Sequence, residues 1–165
     1  MASREQQTRE QLQQENRPPV TAELPPAPQS ALGVSPPPTA RLRVLVVDDN
    51  HANRLVASCI LEDRGHQVET ASDGRQAIRL AQANPYDVIL MDVQIPEMDG
   101  LEATAVIRAW EGGRRRVPII AMTAYDLPED RERCLAAGMD GYLAKPIAEP
   151  ALIALVEGPV KPCAR

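Results

Sequence analysis

From residue 41 the chain alternates between short apolar runs and longer amphipathic stretches. LRVLVV (42–47) is too short for a helix, rich in Val, and stops at Asp48 and Asp49. NHANRLVASCILEDRG reads as a helix: Leu55 with Cys59, and Val56 with Ile60, repeat at a spacing of four, and Gly65 ends the run. HQVETA (66–71) alternates like a shorter strand. Asp73 can cap a second helix, GRQAIRLAQAN, with Ala77, Ile78, Leu80 and Ala81 as its apolar stripe and Pro85 closing it. DVILM (87–91) is a third strand, and QIPEMDG leads into a helix with Leu101, Ala105, Ile107 or Arg108, and Trp110 placed around it. VPIIAM (117–122) is a fourth strand, ending in Thr123, and the next helix starts between Asp126 and Pro128 and stops at Gly138. GYLA (141–144) is a fifth, ending in Lys145 and Pro146, and a short helix spans 149–157.

Strand and helix thus alternate five times with short connections. That pattern gives an α/β fold, a five-stranded parallel sheet with helices on both faces and right-handed crossovers. The strand order 2-1-3-4-5 is borrowed from flavodoxin-like (βα)5 folds; the pattern alone does not yield it.

Composition divides the chain. Residues 1–40 hold eight of the sixteen prolines, many Gln and few large apolar side chains, so they are expected to be a disordered leader or linker. Residues 41–158 form the expected domain, and 159–165 a short tail. The net charge of −5 argues against nucleic acid as a direct partner, and Arg114, Arg115 and Arg116 read as a solvated loop. No apolar run approaches the ~18 residues of a membrane span, and the N-terminus lacks a signal core. Cys59, Cys134 and Cys163 are scattered and odd in number, which suits a reducing, cytoplasmic setting.

Parallel strands bring all their C-terminal ends to one edge, where ligands of such sheets bind. Asp48 and Asp49 follow the first strand, Asp92 the third, Thr123 the fourth and Lys145 the fifth. Three clustered carboxylates repel one another and call for a cation. An all-oxygen set suits Mg²⁺ better than zinc. His51 and His66 fall outside this set and read as surface or helix-start positions. With Lys and Thr beside the metal, the rim is suited to a phosphoryl group. There is neither a G-x-x-x-x-G-K-[ST] nor a G-x-G-x-x-G motif to hold a nucleotide. Asp92, alone on the central strand, is the natural acceptor, forming an acyl phosphate.

VLVVDDN, VILMDVQIPEMDG, VPIIAMTA and GMDGYLAKP, in this order, resemble the motifs of the response-regulator receiver domain of two-component signalling, over about residues 42–157. The resemblance implies Asp92 as phosphoacceptor, with Mg²⁺ on Asp49, on Asp48 largely through water, on Asp92 and on the backbone carbonyl of Gln94. It implies that Lys145, before a cis peptide to Pro146, pairs with the phosphoryl group and that Thr123 hydrogen-bonds it. Tyr142 would be the switch aromatic, swinging inward as Thr123 moves, so that the face of the fourth helix, fifth strand and fifth helix changes. Gln94 and Tyr125 would tune the lifetime of the acyl phosphate. DDNHANR, AMTA and DGYLAKP are most similar to receivers of hybrid sensor histidine kinases. The implied partners are a histidine kinase or a histidine phosphotransfer domain, the leader tethering the domain to an upstream kinase. The domain itself would be a monomer or a weak, phosphorylation-dependent dimer, with no membrane contact.

Other readings stay open. One is a stand-alone single-domain regulator acting by protein contact. Another is a Mg²⁺-dependent phosphohydrolase, disfavoured because such an enzyme would want D-x-D after the first strand. A third is a scaffold that needs no phosphate.

Overall fold

A computed structural model describes residues 41–124 and 128–158. Ten elements alternate: β1 (Arg43–Val47), α1 (His51–Asp63), β2 (Gln67–Ala71), α2 (Gly74–Ala83), β3 (Val88–Asp92), α3 (Gly100–Glu111), β4 (Ile119–Thr123), α4 (Pro128–Ala136), β5 (Gly141–Ala144) and α5 (Glu149–Glu157). All pairings are parallel, and the order is β2-β1-β3-β4-β5, as the flavodoxin-like analogy expected.

Burial explains the strand composition. β3 and β4 are covered on both faces and buried at every position, so each is a continuous apolar run up to its last residue. The edge strands β2 and β5 are partly exposed, and their sequences are correspondingly mixed. Two cores flank the sheet. Leu45, Val47, Ile89, Met91, Ile119 and Ala121 face α2, α3 and α4. Val44, Val46, Leu90, Ile120 and Met122 face Ala57 and Leu61 of α1 and Leu152 and Val156 of α5. The alternation of these residues along each strand is the two-residue period of the pleat.

Local signals hold each helix start. Asn50, Asp73 and Asp99 cap α1, α2 and α3, their side chains accepting from the backbone N–H groups of Ala52, Gln76 and Glu102. Gly112 ends α3 in the left-handed conformation.

Helical stripes were less faithfully readable. In α1 the buried residues are Ala57 and Leu61, whereas Leu55 and Val56 are 54% and 47% exposed and Cys59 is also exposed. In α3 Ala103, Thr104, Ile107 and Glu111 are buried, and Ala105 and Trp110 face outward. The buried Thr104 and Glu111 shift the true stripe, and apolar counting cannot see polar core positions. His66 is likewise corrected: it is buried, its Nδ1 accepts from the Leu42 N–H and its Nε2 lies 3.2 Å from Glu157 Oε1. With Arg64, which meets the same carboxylate at 2.8 Å, it fastens the end of α5 to the α1–β2 turn. The Arg114–Arg116 loop is exposed but anchored, since Arg115 pairs with Asp87, Arg116 with Asp140, and Arg114 lies over the Trp110 ring.

Candidate functional site

The register sets the site. Val47 of β1 pairs with Met91 of β3, so Asp48 and Asp92 emerge side by side at the C-terminal edge. Thr123 of β4 pairs with Ala144 of β5, which puts Lys145 two strands away from Asp92. Strands lie about 4.8 Å apart, so only a long side chain can cross that gap. Lys145 crosses it: Nζ donates to Asp92 Oδ2 at 2.6 Å and to Asp48 Oδ2 at 2.7 Å. The peptide bond between Lys145 and Pro146 is cis, as the resemblance implied.

One oxygen from each of Asp48, Asp49 and Asp92 can be chosen so that all three lie within 4.8 Å of one another. Two unit charges at that separation repel by about 3–4 kcal/mol at an effective dielectric near 20. Lys145 supplies one positive charge against these three, so the cluster keeps an excess of about two negative charges. That excess and the all-oxygen donor set fit a hard divalent cation.

Burial differs among the acids. Asp48 is fully buried, Asp92 is 3% exposed and Asp49 faces solvent. Asp48 is the most heavily bonded. It accepts from the Asn50 N–H at 2.8 Å and from Asn53 Nδ2 on both oxygens, at 3.2 and 3.1 Å. Arg54 donates to the backbone carbonyls of Asp48 and Asp49, at 2.6 and 3.0 Å, and so clamps the turn that presents the pair. Neither Asn53 nor Arg54 stood out in the sequence. Their signal was present in DDNHANR, where the first turn of α1 faces back over the rim.

Burial pushes the Asp92 carboxyl above its ordinary pKa. The neighbouring Asp48 charge acts the same way, against the opposing pull of Lys145 and of the Gln94 N–H. Burial works against the Lys145 charge, but its bonds to Asp48 and Asp92 outweigh that and raise its pKa. The Asp92 shift is thus led by burial, and the Lys145 shift by its carboxylate partners.

Of the remaining predicted residues, Gln94 and Thr123 fall around this centre. Gln94 is exposed, and its N–H donates to Asp92 Oδ1 at 3.0 Å. Thr123 is buried at the same edge, and its carbonyl accepts from the Lys145 N–H at 2.8 Å. Beside it opens a cavity of about 230 Å³ lined by Val93, Gln94, Asp99, Thr123, Arg133 and Cys134 among others. Tyr142 lies on the flank, half-buried against the α2–α4 core. Tyr125 lies outside the described residues. A larger cavity of about 290 Å³, bordered by Tyr86, Trp110 and Arg114, sits near the start of β3 and contains none of the acids. Among the described residues no helix is long and apolar enough to cross a membrane.

Comparison with known proteins agrees with this geometry. The sensor protein GacS of Pseudomonas syringae pv. syringae is 44% identical over 126 residues, which cover 74% of this chain and 14% of that protein. The chain therefore spans about one seventh of the length of this curated relative. The receiver domain of sensor histidine kinase PA1611 from Pseudomonas aeruginosa PAO1 was solved with a magnesium ion coordinated in its active site cleft. It is 46% identical and superimposes with a TM-score of 0.67 over 73% of this chain and 98% of its own. The Saccharomyces cerevisiae receiver domain of Ssk1, solved with the histidine phosphotransfer protein Ypd1, shares 30% identity at a TM-score of 0.66, covering 70% of this chain and 86% of that one. The family model of the response regulator receiver domain matches residues 44–157, and the chain belongs to that family.

Proposed function

We propose that this domain is the phosphoacceptor of a two-component phosphorelay, and that Asp92 receives the phosphoryl group from a phosphohistidine. The observation that carries this reading is the buried Asp92 carboxylate held by Lys145 beside Asp48 and Asp49. An Asp92 oxygen attacks phosphorus, the P–N bond of the donor breaks, and its electron pair returns to the imidazole. Asp48, Asp49, Asp92 and the Gln94 carbonyl would hold Mg²⁺, which when bound offsets the charge of the incoming phosphoryl oxygens. Lys145 pairs with one of those oxygens and Thr123 donates to another. The domain thus assists its own phosphorylation and later hydrolysis without turning over a separate substrate. Gln94, exposed beside Asp92, tunes the lifetime of the acyl phosphate, and Tyr125, two positions after Thr123 in the sequence, is expected to share that role.

Thr123 and Tyr142 link the mark to the output face. Ala121 and Thr123 lie on one side of β4, and Tyr142 is registered with Ala121 across the sheet. Movement of Thr123 toward the phosphoryl group therefore opens space on the side of the sheet that Tyr142 occupies. The cavity beside Thr123 leaves room for such repacking. The result is a shift between two populations that remodels α4, β5 and α5.

The donor must approach Asp92 over the rim. α1 begins at that rim and turns Leu55, Val56 and Cys59 outward. This exposed stripe suits a helical histidine phosphotransfer domain or kinase domain, and the similarity to hybrid kinases favours such a donor. An acyl phosphate such as acetyl phosphate with Mg²⁺ should add 80 Da, a single phosphoryl group, to the chain, and Asp92→Asn should abolish the adduct. Persistence of the adduct in that variant would overturn the assignment. Steady turnover of simple phosphate esters would instead favour a hydrolase.

A further inference from the structure

The outer side of the Tyr142 ring is already occupied. Arg131, exposed in the first turn of α4, sets its guanidinium carbon 4.0 Å from the ring centroid. The corresponding distances are 5.0 Å for Arg114 over Trp110 and 5.7 Å for Arg43 over Tyr86. The same ring packs against the core cluster that includes Ala121 and Cys134. Tyr142 thus meets both this core and the guanidinium.

We propose that Arg131 is a positioning residue of the switch: its guanidinium stacks on Tyr142, holds the ring outward, and sets the fraction of unphosphorylated domain already in the switched state. The inference rests on the reading of Tyr142 as the switch aromatic. Two features of α4 suit the role. Arg131 rides on the helix that the switch moves, so one displacement breaks the stack and releases the ring. Leu135, one turn further along the same helix face, is 46% exposed, so an apolar side chain lies open beside the stack. A cation over a partly exposed aromatic ring biases a two-state equilibrium by about two- to five-fold. That bias is small enough for a phosphoryl group to override. A planar guanidinium stacks better than an ammonium, so lysine at this position should keep only part of the effect.

The test uses the full chain labelled with 3-fluorotyrosine, with Tyr142→Phe identifying the Tyr142 ¹⁹F resonance. Beryllofluoride with Mg²⁺ serves as the phosphoryl mimic, and thermal melts check that each variant is folded. Arg131→Ala should tighten beryllofluoride affinity about two- to five-fold. It should also speed labelling by acetyl phosphate to a similar degree, and Arg131→Lys should lie between it and the parent. Lost packing alone would weaken the mimic's binding, so the sign separates a positioning role from a structural one. If the mimic moves the Tyr142 resonance in both proteins but Arg131→Ala leaves affinity unchanged or weaker, Arg131 has no such role and the switch reading stands. If the mimic moves the resonance in neither protein, the switch reading fails and the proposal falls with it.

Discussion

Gly100, at the start of α3, lies against the backbone of the phosphoacceptor candidate. A Cβ built on it would stand 2.0 Å from the Asp92 carbonyl oxygen, 2.9 Å from the Asp92 carbonyl carbon and 3.0 Å from Met91 Cγ. Carbon and carbonyl oxygen ordinarily approach no closer than about 3.3 Å. Gly100→Ala must therefore push α3 and the end of β3 apart by more than about 1 Å. The hydrogen bond from the Gly100 N–H to the Val93 carbonyl, 3.1 Å long, lies across the same seam and would be strained. Overpacking costs about 1–3 kcal/mol and a lost hydrogen bond about 1 kcal/mol, so the expected loss is about 2–4 kcal/mol. At about 0.24 kcal/mol per degree for a domain of this size, the melting temperature should fall by about 8–16 °C. Because the strain falls on Asp92, Mg²⁺ affinity, read by NMR titration on the folded protein, should weaken by about ten-fold or more, a shift of at least ~1.4 kcal/mol. Gly141→Ala is the control. Its Cβ would meet Ile120 and Leu155 side chains at 3.8 and 3.9 Å, ordinary contact, and stability should stay within about 0.5 kcal/mol. A Gly100→Ala protein that melts with the parent would refute the close approach. One that melts early yet binds Mg²⁺ normally would show that Asp92 is positioned without Gly100.

Lys145→Met leaves Asp48 and Asp92 facing each other without their cation, and in metal-free buffer it should cost about 3 kcal/mol in urea unfolding. Mg²⁺ should restore more stability to this variant than to the parent, and an equal gain in both would argue that Lys145 does not balance the acids. Tyr86 is pushed up to about 12 by burial and by its hydrogen bond to Glu69. A phenol that keeps its proton longer when folded contributes stability in full below the unfolded value near 10. That contribution disappears as pH rises from there through 12. Absorbance at 295 nm should show a late-ionising step that Tyr86→Phe removes and Glu69→Gln brings forward; a step near 10 for Tyr86 would contradict the burial.

What the sequence determined by itself was local and periodic. Strand runs, cap residues and glycine stops located ten elements to within about two residues, because backbone geometry ties side-chain period to conformation. Alternation then confined the sheet to parallel pairing, so the residues following each strand had to share one edge. That made Asp48, Asp49, Asp92, Thr123 and Lys145 legible as a group before any coordinates. Their distances were another matter. Tertiary packing decided that Asp48 is sealed while Asp49 meets solvent, and that Lys145 spans two strands to reach two acids. It also decided that Asn53 and Arg54 brace the rim from α1. It buried His66 against Glu157, 91 residues away in the chain, and turned Leu55 and Val56 outward from a stripe that looked fit for a core. It set Arg131 on Tyr142 and left Gly100 no room for a methyl group. Each of these depends on which surfaces distant segments present to one another, and a local pattern carries no term for that.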